Sequence, residues 1–180
     1  MRPERPSTHP TQTYRSAISR FTTGVAIITT ATPSGYAGMT ASAVTSLSLD
    51  PLQLIVCVGN RLPTRSAIVE SGRFVVNVLG AGHEDVALRF ASPLPDKFAG
   101  VALREDHDMP VLSEAIAHFV CRVDAALPGG DHTILIGDVE ACDFVEDAAP
   151  LVYFGSRFGQ LCDPERHAQL HYDWQLALAM

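Results

Sequence analysis

The chain is predicted to be mainly β, an antiparallel barrel with helices at its periphery. Three observations carry this. Six or more short apolar runs of strand length recur along the chain, separated by turns that contain Gly or Pro. Helical patterns between them are few, and the β-α alternation of a doubly wound parallel sheet is missing. At 180 residues, 47% hydrophobic and 18% charged, the chain suits one domain that buries roughly 70% of its unfolded surface.

Taken in order, residues 1–12 hold three prolines and no apolar stretch, so they read as a disordered lead-in rather than a signal peptide. Residues 13–22 place Tyr14, Ala17, Ile18 and Phe21 on one face at helical spacing. The β-branched run 24–31 is a strand, and Pro33-Ser-Gly35 turns it into a hairpin partner over residues 37–51. In that partner Met39, Ala41 and Ala43 alternate with Thr40 and Ser42, which reads as one face in a core and one lined by short side chains. Side chains that short let a flat ligand approach the backbone, whose N–H groups can then donate to it. Residues 52–58 form the next strand. Pro63 suits the first turn of a helix and Gly72 its C-terminal end.

Residues 73–79 are a strand and 84–91 a helix, with Val86 and Phe90 one turn apart. From 92 to 110, three prolines, a glycine and several charges without periodicity predict a long irregular covering loop. The last strands fall at 118–127, 131–145 and 150–154, the first two separated by Pro128-Gly-Gly130. The domain therefore spans residues 13–161. In the tail, 162–180, Leu170, Trp174 and Leu178 have the spacing of a terminal helix.

Charge and composition narrow the function. A formal charge of −7 lacks the basic face that a nucleic-acid partner requires. No apolar run reaches membrane-spanning length, so the cytoplasm is the expected location. The four cysteines form no C-x-x-C pair, and no metal site is expected. Gly80-Ala-Gly82-His-Glu-Asp85 follows a strand and opens a helix, but its last position is Asp, whose charge would repel a pyrophosphate. His83-Glu84 has Ala87 where a zincin helix needs its second His. No catalytic carboxylate pair stands out, which suits chemistry carried by a cofactor.

Several blocks then line up in order. Phe21-Thr-Thr-Gly-Val-Ala-Ile-Ile-Thr-Thr30, Met39-Thr-Ala-Ser-Ala-Val-Thr-Ser-Leu-Ser-Leu-Asp-Pro51, Ser71-Gly-Arg-Phe-Val-Val-Asn-Val-Leu79, Phe90-Ala91, Asp96-Lys-Phe98, Gly130-Asp-His132 and Pro150-Leu-Val-Tyr-Phe154 resemble the short-chain flavin reductases. The resemblance implies their FMN-binding split β-barrel and NAD(P)H-dependent reduction of FMN (or FAD), with NADH or NADPH as co-substrate. It also implies a homodimer with the flavin near the subunit boundary. The reduced flavin would pass to a partner flavin-dependent monooxygenase.

Carried onto this chain, the resemblance implies that Thr40, Ala41, Ser42 and Ala43 contact the flavin ring, while Ser46 and Ser48 lead toward its ribityl chain. Cys57, Val58 and Asn60 would end the next strand at the flavin. Thr64, Arg65 and Ser66 open a helix whose N-terminus suits a phosphate, with helix capping by Thr64 as the plain alternative. Arg89, Phe90, Ala91, Ser92 and Lys97 would close over the phosphate end, though Lys97 has equal standing as a surface lysine. His132, the one catalytic candidate, would orient the nicotinamide, and Phe154, Gly155, Ser156 and Arg157 would bind the dinucleotide. Two departures are visible. Asp50-Pro-Leu-Gln53 replaces the commoner doubled proline, and Gly155-Ser-Arg157 lacks a basic residue directly after the aromatic. The second motivates an alternative, a flavin-binding split barrel without NAD(P)H reductase activity.

Overall fold

The structure, a computed structural model, describes residues 10–161. A first helix, α1 (Pro10–Ile18), leads into β1 (Thr23–Gly24), β2 (Ala26–Thr32) and β3 (Gly35–Ala41). Then come β4 (Val44–Leu49), β5 (Leu52–Gly59), α2 (Pro63–Ser71), β6 (Arg73–Val78) and α3 (Glu84–Ala91). The chain continues through β7 (Leu103–Asp106), β8 (Met109–Leu112), β9 (Ala117–Gly129), β10 (His132–Phe144), β11 (Val152–Phe154) and β12 (Arg157–Gly159).

Seven strands form one antiparallel sheet in the order β3-β2-β6-β9-β10-β5-β4. Its two edge strands, β3 and β4, are consecutive in the chain and are joined by Ser42 and Ala43. The sheet must therefore curl until its edges nearly meet. The Cys57 N–H donates to the Ala43 carbonyl at 3.0 Å, which draws the bend onto β5. The ladder never closes between β3 and β4, so the barrel is split, as expected for this fold class. The expectation of a single strand over 37–51 is corrected: Ser42 and Ala43 break it, and its halves lie on opposite edges.

Inward-facing residues fill the barrel. Ile28, Met39, Leu54, Val56, Val58, Phe74, Val76 and Leu135 pack as one cluster, and Ile68 of α2 plugs it from one end. The period-2 alternation of these strands puts such residues on one face. Helix α2 begins at Pro63 and ends at Gly72, whose φ of 69° is the left-handed conformation glycine adopts without strain. On the outer face of β2, Val25, Ile27, Leu79, Phe90 and Leu151 make a second core with α3. β3 tucks beneath α3 because Gly38 lacks a side chain; a Cβ there would lie 2.7 Å from Phe90 Cε1.

The segment expected to be a long irregular loop is irregular only up to residue 102. Residues 103–112 form the β7–β8 hairpin, turned by His107 and Asp108 at φ 49° and 60°. β8 is wholly buried against β2 and β6, beside Val75 and Val120. Asn77, fully buried, ties the layers together: its amide donates to the Ile27 carbonyl and Thr29 Oγ1, and its oxygen accepts from the Leu112 N–H. His118 (2% exposed) sits between Asp106 Oδ2 at 2.7 Å and Arg104 at 3.0 Å.

Three smaller differences from the sequence pattern remain. α1 starts at Pro10, inside the expected lead-in, ends at Ile18, and leaves Tyr14, Ile18 and Phe21 exposed. Pro128 does not end its strand but pairs with Thr133 within β9–β10. β12 is an element the pattern does not predict; it pairs with β11 through a two-residue turn at Gly155 and Ser156, both at positive φ. The tail from 162 onward, with its expected helix, lies outside the described residues.

Candidate functional site

The split in the barrel leaves a short segment of chain at the surface. Ser42 and Ala43 are exposed, Thr40 is half-buried and Ala41 points into the core. β3 and β4 each have one side unpaired in the sheet, so backbone donors and acceptors remain beside this bend. A cleft of about 510 Å³ opens next to it, lined by Thr40, Ser42, Ala87, Ala91, Ser156 and Arg157 among others. Thr40 Oγ1 donates to the Ala87 carbonyl at 2.6 Å, which fixes α3 as one wall. Among the described residues Ser42 Oγ has no hydrogen-bond partner, so it is available to a ligand.

The opposite wall is the β11–β12 hairpin. Its turn is held by the Gly155 N–H donating to the Ser19 carbonyl at 2.8 Å. This places Ser156 and Arg157 opposite Thr40 and Ser42, whereas Phe154 is half exposed outside the lining. Arg89 donates to the Ala99 carbonyl and Ser92 Oγ to the Arg89 carbonyl. Lys97 Nζ donates to the Phe90 carbonyl at 2.8 Å, and burial lowers the lysine's pKa. These three side chains therefore stitch the segment after α3 to the helix. The Phe90 ring is fully buried, edge-on to Phe98 at 4.9 Å, so only its backbone is open to a ligand.

A second pair of clefts lies at the end of β5. One, about 510 Å³, is lined by Gly59, Asn60, Arg61, Leu62, Asp131 and His132. His132 pairs with Gly59 across the sheet, and its Nδ1 lies 2.7 Å from Asp131 Oδ1. The hydrogen bond to His132 holds the Asp131 carboxyl below its ordinary range. The adjoining cleft, about 360 Å³, lies between α2 and the β9–β10 turn and includes Asn60, Arg65, His132 and Thr133. Cys57 is half-buried and Val58 fully buried, so Val58 can offer only its backbone.

At α2 the N-cap position is Leu62, which provides no side-chain cap. Thr64 is buried inside the first turn and Ser66 is exposed, so capping by Thr64 is excluded. Arg65 is half-buried, and its Nε donates to Thr133 Oγ1 at 3.2 Å. No carboxylate among the described residues pairs with it.

The structure thus regroups the expected site residues. His132 shares its clefts with Asn60 and Arg65, while Arg157 and Ser156 face Thr40 and Ser42. Ser46 and Ser48 run the other way along β4: Ser48 pairs with Gln53. Seven residue steps then separate that level from Asn60, about 23 Å of extended chain. A ligand centred on Ala43 that reaches Asn60 leaves Ser48 behind. Sequence reasoning missed Ala87, Tyr153 and Phe158 as cleft walls, and Gly59, Arg61 and Thr133 as neighbours of His132. The β11 pattern held the only signal for Tyr153, and Thr133 stands directly beside His132.

Comparison with known proteins gives the family and matches the fold. A model of the flavin reductase like domain matches residues 18–162. The reductase component of the 4-nitrophenol 4-monooxygenase/4-nitrocatechol 2-monooxygenase of Rhodococcus opacus is 38% identical over 155 residues, covering 86% of this chain and 83% of that one. A flavin reductase (NADH) of Kitasatospora aureofaciens is 41% identical over 147 residues, covering 79% and 77%. Among solved structures, the NADH:FAD oxidoreductase SgcE6 of Streptomyces globisporus superposes with a TM-score of 0.82 at 31% identity, covering 89% of this chain and 100% of that one.

Proposed function

The chain belongs to the flavin reductase-like family, and we propose that it works as an NAD(P)H:flavin oxidoreductase serving a partner monooxygenase. One observation carries the reading: the bend at Ser42 and Ala43 is exposed, lined by small side chains, and opens onto the cleft between α3 and the β11–β12 hairpin. The residues present fit FMN or FAD. A flat ring can lie against the bend, where backbone N–H groups at the split and Ser42 Oγ can meet its polar rim.

The flavin supplies the electron-accepting ring. The chain's own part is to bind, orient and shield. Donors fixed beside the bend favour the negative charge that a flavin gains on reduction, because they need no reorganisation at that moment. From Cys57 to Asn60 the strand end covers about 10 Å, a length comparable to an extended ribityl chain. That sets Asn60 and Arg65 at the phosphate end. His132 and Arg157, on either side, are the cationic or hydrogen-bonding groups available to the dinucleotide, and His132 acts by orientation rather than by proton transfer.

The relatives that are reductase components of monooxygenases support a flavin-dependent oxygenase as recipient. A homodimer fits the apolar side chains left at the surface, Leu49, Leu52 and Phe144 among them, on a chain of mean hydropathy +0.13. No described helix is long and apolar enough to cross a membrane. Dependence on NAD(P)H supports the cytoplasm.

The test is steady-state oxidation of NADH and NADPH by the purified protein with FMN, FAD and riboflavin in turn. Flavin-dependent oxidation with one clearly preferred flavin is the expected result. Flavin binding without oxidation of either nucleotide would instead establish a flavoprotein lacking this activity.

A further inference from the structure

Thr133 stands next to His132 in the chain, yet its side chain faces the barrel's end and is 4% exposed. Its hydroxyl lies between two partners. It donates to Asn60 Oδ1 at 2.8 Å and accepts from Arg65 Nε at 3.2 Å. A hydroxyl has one proton. With that proton on Asn60, its lone pairs are left to the guanidinium. Asn60 is fixed in turn, because Oδ1 must accept and Nδ2 donates to the Gly130 carbonyl at 3.2 Å. The Asn60 N–H also donates to the Asp131 carbonyl at 3.0 Å.

The consequence is directional. With Nε engaged by Thr133, the side edge of the Arg65 guanidinium is occupied, and only the end formed by the two Nη groups remains for a bidentate acceptor. Arg recognises phosphate through such a pair of parallel N–H donors, and the geometry is lost when the fork can rotate. Among the described residues no carboxylate competes for this end, in a chain of formal charge −7.

We propose that Thr133 is a positioning residue that, with Asn60, aims the Nη end of Arg65 at the phosphate of the flavin. The inference rests on the flavin site argued above and adds how that site tells FMN from riboflavin. Thr133 touches no ligand itself. It acts by holding a guanidinium that does.

Dissociation constants for FMN and for riboflavin, measured by quenching of flavin fluorescence, test this. The variants are Thr133→Val, Thr133→Ser and Arg65→Met. Wild type should prefer FMN by about tenfold or more, and Arg65→Met should remove most of that preference. Thr133→Val should cut the preference by about fivefold while riboflavin binding stays within about twofold, because one charge-assisted hydrogen bond that orients the fork is gone. Thr133→Ser should restore it. Riboflavin binding is the internal control for folding. Equal loss of both flavins in Thr133→Val, with no rescue by Ser, would assign Thr133 a structural role only and overturn the proposal. So would an FMN preference unmoved by Arg65→Met. Wild type that binds neither flavin would overturn the flavin site itself, a distinguishable failure.

Discussion

The backbone N–H of Cys57 donates to the carbonyl of Ala43 at 3.0 Å, and this bond extends the β4–β5 ladder into the bend that joins the two edge strands of one sheet. The ladder stops there, and the chain between β3 and β4 faces outward beside a cleft. A bulky side chain at this point should block a flat ligand without disturbing the core. Ser42→Phe is expected to weaken flavin binding by about tenfold or more, about 1.4 kcal/mol, with little change in thermal stability. Fluorescence titration and a melting curve read the two quantities separately.

Gly38 and Gly24 make a matched pair. A Cβ at Gly38 would lie 2.7 Å from Phe90 Cε1 and 3.0 Å from Phe98 Cζ, whereas at Gly24 nothing lies within 4 Å. Gly38→Ala should destabilise by about 1–3 kcal/mol through overpacking of α3 on β3. Gly24→Ala should stay within about 0.5 kcal/mol. Denaturant unfolding of the two variants compares them directly.

Asp106 links the β7–β8 hairpin to stability in acid. Hydrogen bonds from His118 first, and His107 second, hold its carboxyl below the ordinary value of 3.8. A carboxylate whose pKa is depressed on folding contributes stability that is complete above its unfolded pKa and disappears as pH falls through the folded one. Asp106→Asn should therefore lower stability near neutrality. The gap from wild type should narrow once pH drops below 3.8. Unfolding curves across a pH series would show the convergence.

Cys121 and Cys142 should differ sharply toward alkylating reagents. Cys121 is buried in the barrel, and desolvation, helped by the nearby Glu140 and Asp138, pushes its thiol up to about 12. Cys142 is exposed. The thiolate is the reactive form. At mildly alkaline pH the native protein should be labelled at Cys142 and spared at Cys121, with Cys121 reacting only after unfolding. Peptide mapping by mass spectrometry distinguishes the sites.

Much of this arrangement is local, and so was legible in the residues. Pro63 and Gly72 mark the ends of α2, and runs of β-branched or apolar residues mark β2, β5 and β6. What stayed hidden depends on distant partners. The small residues from Met39 to Ala43 alternate smoothly, so nothing local says that Ser42 and Ala43 separate the opposite edges of a sheet. The charged run Arg104-Glu-Asp-His-Asp108 hid a hairpin whose order comes from Asn77 and His118 far along the chain. The same holds for the site. Its residue types were visible, but which of them share a cleft follows from strand pairing, as in Gly59 opposite His132 and Ser48 opposite Gln53.

The most direct test of the central claim is rapid anaerobic mixing of the flavin-loaded protein with NADH and, separately, NADPH, while the visible absorbance of the flavin is followed. The account predicts fast bleaching with at least one nucleotide, saturating as its concentration rises, and slowed in Ser42→Phe. A flavin that stays yellow with both nucleotides, or bleaches no faster than free flavin does without protein, would contradict it.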